Sequence, residues 1–172
     1  MISANPCRWT LKKRLFLDTT ICIDLFNGRL LEKVLTLPYE FVLPDVIVAE
    51  LLDPPGEYLI QLGYSMQQIP AEAIGQFFSL REKYTKPSTN DLFALLMARI
   101  HTCALLTGDG DLREAARNEG VTVHGLLWIL DRLVEYQMLT KADAAASLER
   151  IVASGSWLPK RDCEVRLKRW KG

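Results

Sequence analysis

No apolar run in the sequence approaches the ~18 residues that a membrane-spanning helix needs. The first fourteen residues also lack the long apolar core and small-residue cleavage site of an export signal. A cytoplasmic protein without a membrane anchor is the expectation. Histidine is scarce, with only His101 and His124, and the four cysteines, Cys7, Cys22, Cys103 and Cys163, include no Cys-x-x-Cys pair. The close ligand spacing of a zinc site is therefore missing. The cysteines read as core or incidental thiols in a reducing compartment, and His101, closing an apolar helix, as a structural residue. There is no glycine-rich phosphate-binding motif and no plausible Ser/His/Asp or Cys/His constellation, so nothing points to a covalent nucleophile. Internal repeats and low-complexity tracts are absent as well.

An excess of charge is also missing. Lys and Arg total 21, Asp and Glu total 21, and no global field draws in nucleic acid. The distribution is uneven, because residues 160–171 carry six basic side chains against Asp162 and Glu164, a net of +4 that leaves −4 for the remainder. This basic tail, residues 160–172, reads as a frayed, solvated terminus.

What is present suits one domain: 172 residues, 49% hydrophobic and 24% charged, are enough for one sizeable core. Arg14 to Leu17 is a short apolar strand that halts at Asp18-Thr19-Thr20, three good helix caps, and a helix follows that stops near Asn27-Gly28 or resumes through Leu30 to Leu35 after a break. Tyr39 to Leu43 is a second strand. Pro44 then opens a short helix that Asp53-Pro54-Pro55-Gly56 ends. Residues 58–63 form a loop or helical turn, Tyr64 to Ile69 a third strand, and Pro70 opens a helix through about Tyr84. Ser88-Thr89-Asn90-Asp91 caps an apolar helix to Ile100 with the spacing of a capping box. Cys103 to Thr107 is a buried strand, Asp111 to Asn118 a helix, Val121 to Val123 a short strand, and residues 126–138 and 141–153 two amphipathic helices. Strands alternating with helices over short connections predict an α/β fold, a mainly parallel sheet with helices on both faces.

The chemistry gathers on acids. Thr107-Gly108-Asp109-Gly110-Asp111-Leu112 places two carboxylates in a glycine-flexed turn, which is either a metal seat or an ordinary strand exit with a helix cap. In an open α/β sheet the functional crevice lies beyond the carboxyl ends of the strands. Asp18, Asp109 and Asp111 sit at such ends, Asp91 begins the helix feeding one of them, and Glu50 follows a third strand. Glu50 shares its helix face with Val46 and Ile47, so it either reaches water from the rim or needs a cation partner. Carboxylates with no histidine or thiolate suit hard ions, Mg2+ or Mn2+, and the chemistry that uses such a cage is phosphodiester hydrolysis.

Leu15 to Thr20, Val48-Ala49-Glu50-Leu51, Asn90-Asp91 with its apolar helix, and Leu106 to Leu112 together resemble the PIN-domain nucleases, including the VapC-type toxin ribonucleases, over about residues 14–125. The resemblance implies a three-layer α/β/α fold, a divalent-metal site and single-stranded RNA as substrate. By motif position Asp18, Glu50, Asp91 and Asp109 match the family's acidic quartet, Asp111 a frequent fifth acid, and Thr107 the accompanying hydroxyl. It also implies a toxin held by an antitoxin protein. The helical extension over about residues 126–159 departs from the compact toxin pattern, and the acidic body leaves Lys12, Lys13, Arg14, Lys83, Lys86 or the tail to meet RNA. The apolar helices 92–100 and 126–138 are consistent with a homodimer or a partner. A non-catalytic binding or scaffold module is the alternative. A haloacid-dehalogenase-type phosphatase would want a second Asp two residues after Asp18, where Thr20 stands.

Overall fold

The computed structural model describes residues 12–172. Cys7, and the reading of the N-terminal segment as lacking an export signal, fall outside the described residues up to Leu11. Five strands form one parallel sheet: β1 (Lys13–Leu17), β2 (Tyr39–Pro44), β3 (Ser65–Gln67), β4 (Ala104–Leu106) and β5 (Val123–His124), in the order β3-β2-β1-β4-β5. The fold is the expected PIN-like α/β/α sandwich.

Strand alternation divides the core. Leu15 and Leu17, Phe41 and Leu43, and Ala104 and Leu106 turn to one face, while Phe16, Val42 and Leu105 turn to the other. Both faces are apolar because helices cover both. Helices α5 (Ile74–Lys83), α6 (Thr89–Ile100) and α7 (Gly110–Asn118) bury Phe77, Leu80, Leu92, Leu95, Leu96, Leu112 and Ala116 against the second face. The first face receives α1 (Thr19–Asn27), α2 (Leu31–Val34), α3 (Asp45–Glu50), α4 (Gly56–Leu62), α8 (Leu126–Glu135), α9 (Lys141–Ala153) and α10 (Lys160–Lys171).

One local reading is settled and another is corrected. The segment left open as loop or turn is the helix α4, closed by Gly63 at φ 118°, the left-handed conformation in which glycine avoids a Cβ clash. The basic tail is a docked helix. Cys163 and Trp170 on α10 are buried in the core, Arg166 and Arg169 both pair with Asp131 of α8, and Lys171 pairs with Glu149 of α9. Its charges are drawn inward by acids on neighbouring helices, a complementarity that composition alone does not reveal.

The site is set by register. Leu17 of β1 lies beside Leu106 of β4, with β2 on the other flank of β1, so the chain direction away from β1 reverses between these two strands. The next residue on each strand, Asp18 and Thr107, therefore emerges side by side at the topological switch point, where open α/β sheets present their crevice. The Asp18 N–H extends the pairing by donating to the Leu106 carbonyl at 3.1 Å.

Candidate active site at the carboxyl edge of the sheet

Asp18 is the N-cap of α1, with extended backbone, and its Oδ1 accepts from the Ile21 N–H at 2.9 Å. Its side chain is completely buried. The Thr20 hydroxyl donates to both carboxylate oxygens at 2.8 Å, and the Thr107 hydroxyl donates to Oδ2. These donors are all neutral. Burial pushes the Asp18 carboxyl up to about 7, the hydrogen bonds from Thr107, Ile21 and Thr20 pull it back, and the charge of Asp91 raises it again. Among the described residues no basic side chain forms an ion pair with it.

Thr107 links the two strand ends. While donating to Asp18, its hydroxyl accepts from the Asp109 N–H at 3.0 Å, which fixes the start of the Gly108–Asp111 turn. Thr20 repeats the arrangement from the other side, accepting from the Gly108 N–H at 3.1 Å. A Cβ on Gly108 would come within 3.2 Å of the Thr20 hydroxyl oxygen, so glycine permits this close approach.

Each of the other acids has a capping, hydrogen-bonding or ion-pairing partner of its own. Asp109 caps α7 through Oδ1, which accepts from the Leu112 N–H at 2.7 Å. Asp91 completes the capping box of α6, with Oδ2 accepting from the Ser88 N–H at 2.9 Å and the Ser88 hydroxyl accepting from the Asp91 N–H at 3.1 Å. Glu50 is exposed and accepts from the Thr19 hydroxyl at 2.5 Å. Of the two readings of Glu50, its exposure fits the one that reaches water from the rim: α3 is only six residues long, and its end opens to solvent. Asp111 is exposed in the first turn of α7 and pairs with Lys86 at 3.2 Å.

A tight cage is not what these residues form. Among the described residues no three His, Cys, Asp or Glu side chains converge closely enough to hold a metal ion. Mutual repulsion between uncompensated carboxylates and the pull of the helix N-termini both favour the spread arrangement. Capping nevertheless engages one oxygen of each aspartate: Asp91 Oδ1 and Asp109 Oδ2 have no hydrogen-bond donor among the described residues.

Four residues that the sequence did not single out complete the surroundings. Thr20 read only as a cap. Arg113 of α7 donates to the Thr107 carbonyl at 2.7 Å, and its guanidinium occupies the space a Cβ on Gly125 would take, 2.7 Å away. Asp24, one turn beyond Thr20, is buried, its carboxyl raised by burial and lowered by the Ser156 hydroxyl that donates to it. Trp157 lines a pocket with Thr20, Asp24 and Asp109. The i, i+4 spacing of Thr20 and Asp24 was a readable signal for the third of these. Nothing local foretold Trp157.

Over residues 15–172 the sequence matches a family model described as a PIN domain. The chain belongs to the PIN-domain family. No curated protein matches it. Among solved structures it is similar to a PilT N-terminus domain protein from the hyperthermophilic archaeon Sulfolobus solfataricus P2, with 15% identity and a TM-score of 0.48 over 71% of this chain and 92% of that one. PIN domains are generally nucleases and typically use divalent metal ions. The family match runs through α8, α9 and α10, so the C-terminal helices lie within the matched region of this PIN domain.

The donors here fit such an ion in kind: Asp18, Asp91, Asp109 and Thr107 all offer oxygen, which hard cations prefer. The buried Asp18 carboxylate, hydrogen-bonded by three neutral donors and held up near 7, would fall back to its ordinary range beside a cation. Free oxygens on Asp91 and Asp109 leave both residues able to cap and to ligate.

Proposed function

We propose that this PIN domain is a divalent-metal-dependent endoribonuclease that hydrolyses phosphodiester bonds of single-stranded RNA. The observation that carries the reading is Asp18: a fully buried carboxylate at the switch point of the sheet, clasped by Thr20 and Thr107 and, among the described residues, held in no ion pair. Asp18, Asp91 and Asp109 are the principal metal-holding residues in this reading, with Glu50 and Asp111 acting directly or through water. Held by these carboxylates, Mg2+ or Mn2+ would supply the Lewis acidity and water activation that phosphodiester hydrolysis needs.

The protein's own part is positioning. Thr107 and Thr20 fix the plane of the Asp18 carboxylate, and through their contacts to the Asp109 and Gly108 N–H groups they tie it to the α7 turn. Those orienting bonds matter because partners of metal ligands set ligand geometry and basicity. Arg113 holds the Thr107 carbonyl and keeps one positive group near the acids.

The test is cleavage of single-stranded RNA with Mg2+ or Mn2+ by the wild type and by Asp91→Asn; equal rates remove the catalytic claim. The toxin role and its antitoxin partner form a separate part of the proposal, checked by whether expression arrests growth and whether Asp18→Asn relieves the arrest. A second reading, a non-catalytic module acting through a protein partner, is favoured by the capping contacts of Asp91 and Asp109. Calorimetric titration with Mn2+ separates the two: no binding, with stability kept in Asp109→Asn, selects the scaffold.

A further inference from the structure

Beside the acid turn lies a cleft of about 440 Å3, whose walls include Gly108, Arg113, Arg117, Trp157, Asp162 and Arg166. Two features set it apart. Arg113 and Arg117 lie four residues apart on α7 and both line the cleft, and among the described residues neither has a carboxylate in ion-pairing distance. Arg166, by contrast, is paired with Asp131 at 2.6 Å, and Asp162 is the acid among the lining residues. Two guanidiniums of one helix lining a cleft, neither held in an ion pair, offer an anion-binding surface.

The second feature is Trp157, which is 89% exposed. Leaving so large an apolar ring in water costs free energy, and an exposed indole at the rim of a polar cleft marks a contact surface. The segment that carries it is anchored. Gly155, at φ 90°, ends the turn after α9, the Ser156 hydroxyl donates to buried Asp24, and Leu158 packs against the core. Trp157 also lines the adjoining pocket that contains Thr20, Asp24 and Asp109. The indole therefore bridges the arginine cleft and the acid site.

Resting on the ribonuclease reading above, we propose that Trp157 is a base-stacking platform and that Arg113 and Arg117 grip backbone phosphate, together seating the nucleotides beside the scissile bond of single-stranded RNA. Aromatic faces accept any base, and guanidiniums accept phosphate oxygens bidentately, so the site binds a strand with little sequence demand. A duplex keeps its bases stacked inside and cannot use the indole. The C-terminal extension, on this view, contributes a substrate-binding element to the PIN core.

The experiment measures binding of a short oligoadenylate, about ten nucleotides long, to the full chain in chelator, so that affinity is read without cleavage. Trp157→Ala is expected to weaken binding on the order of 10-fold, and Trp157→Phe by less than about 3-fold. Arg117→Gln is expected to weaken binding and to reduce the slope of log affinity against log salt by about 0.7. Thermal midpoints should match the wild type, since both side chains are exposed. Wild-type affinity retained in both Trp157→Ala and Arg117→Gln overturns the proposal, as does tighter binding of a matched duplex or no binding by the wild type at low salt. If the wild type cleaves RNA but its binding ignores Trp157 and Arg117, the cleft reading fails and the nuclease reading stands. If binding depends on Trp157 and no metal supports cleavage, the nuclease reading fails and the cleft remains.

Discussion

Asp18 carries a charge that the folded chain holds at a disadvantage. Its carboxyl is pushed up to about 7 from 3.8, so between those values the native state binds the proton more tightly than the unfolded chain does. Stability from this group is therefore greatest in acid and falls as pH rises through about 4 to 7. Asp18→Asn removes the penalty. In metal-free buffer at pH 8 its thermal midpoint is expected several degrees above that of the wild type, the gap closing towards pH 4; a constant gap across that window contradicts the assignment. Thr107 offers a second test at this scale. Thr107→Val deletes a buried hydroxyl that donates to Asp18 and accepts from Asp109, an expected stability cost of about 1–3 kcal/mol. RNA cleavage should fall on the order of 10–100-fold, with Thr107→Ser largely restoring it.

At the level of elements, caps and acids coincide, and a substitution can separate the two roles. Asparagine caps a helix about as well as aspartate. Asp109→Asn should therefore keep the wild-type unfolding midpoint to within about 0.5 kcal/mol while losing Mn2+ affinity by calorimetry. Loss of stability without loss of affinity would make Asp109 a cap only. Gly56, at the start of α4, is a purely structural case. A Cβ there would lie 2.0 Å from the Val48 carbonyl oxygen, so α3 and α4 meet through bare backbone. Gly56→Ala should destabilise the fold by about 1–3 kcal/mol or more, measured by urea unfolding. Because α3 carries Glu50, partial loss of metal affinity should accompany it.

Across the whole molecule, α10 packs against α9 in the layer over the first sheet face, and Asp131 of α8 receives both Arg166 and Arg169, at 2.6 and 2.5 Å. Asp131 and Arg166 are largely sheltered, so removing the carboxylate strands a half-buried guanidinium. Asp131→Ala is expected to cost about 1–3 kcal/mol and to speed thiol labelling of buried Cys163; labelling at the wild-type rate would show that α10 is held by its apolar face alone. The described helices include none long and apolar enough to cross a membrane.

The sequence by itself determined the layer architecture, because the apolar strands 14–17, 39–43 and 103–107 and the capped helices between them leave a parallel sheet as the consistent arrangement. It also marked Asp18, Thr107 and Asp109, since strand ends followed by cap residues are local features. Only the tertiary structure decided what touches them. The β1–β4 register joined Thr107 to Asp18 across 89 residues. The burial of Asp18, the exposure of Glu50 and the docking of the basic tail depend on neighbours distant in sequence. Arg113 and Trp157 came to the acid rim in the same way, through helix packing that no local pattern encodes.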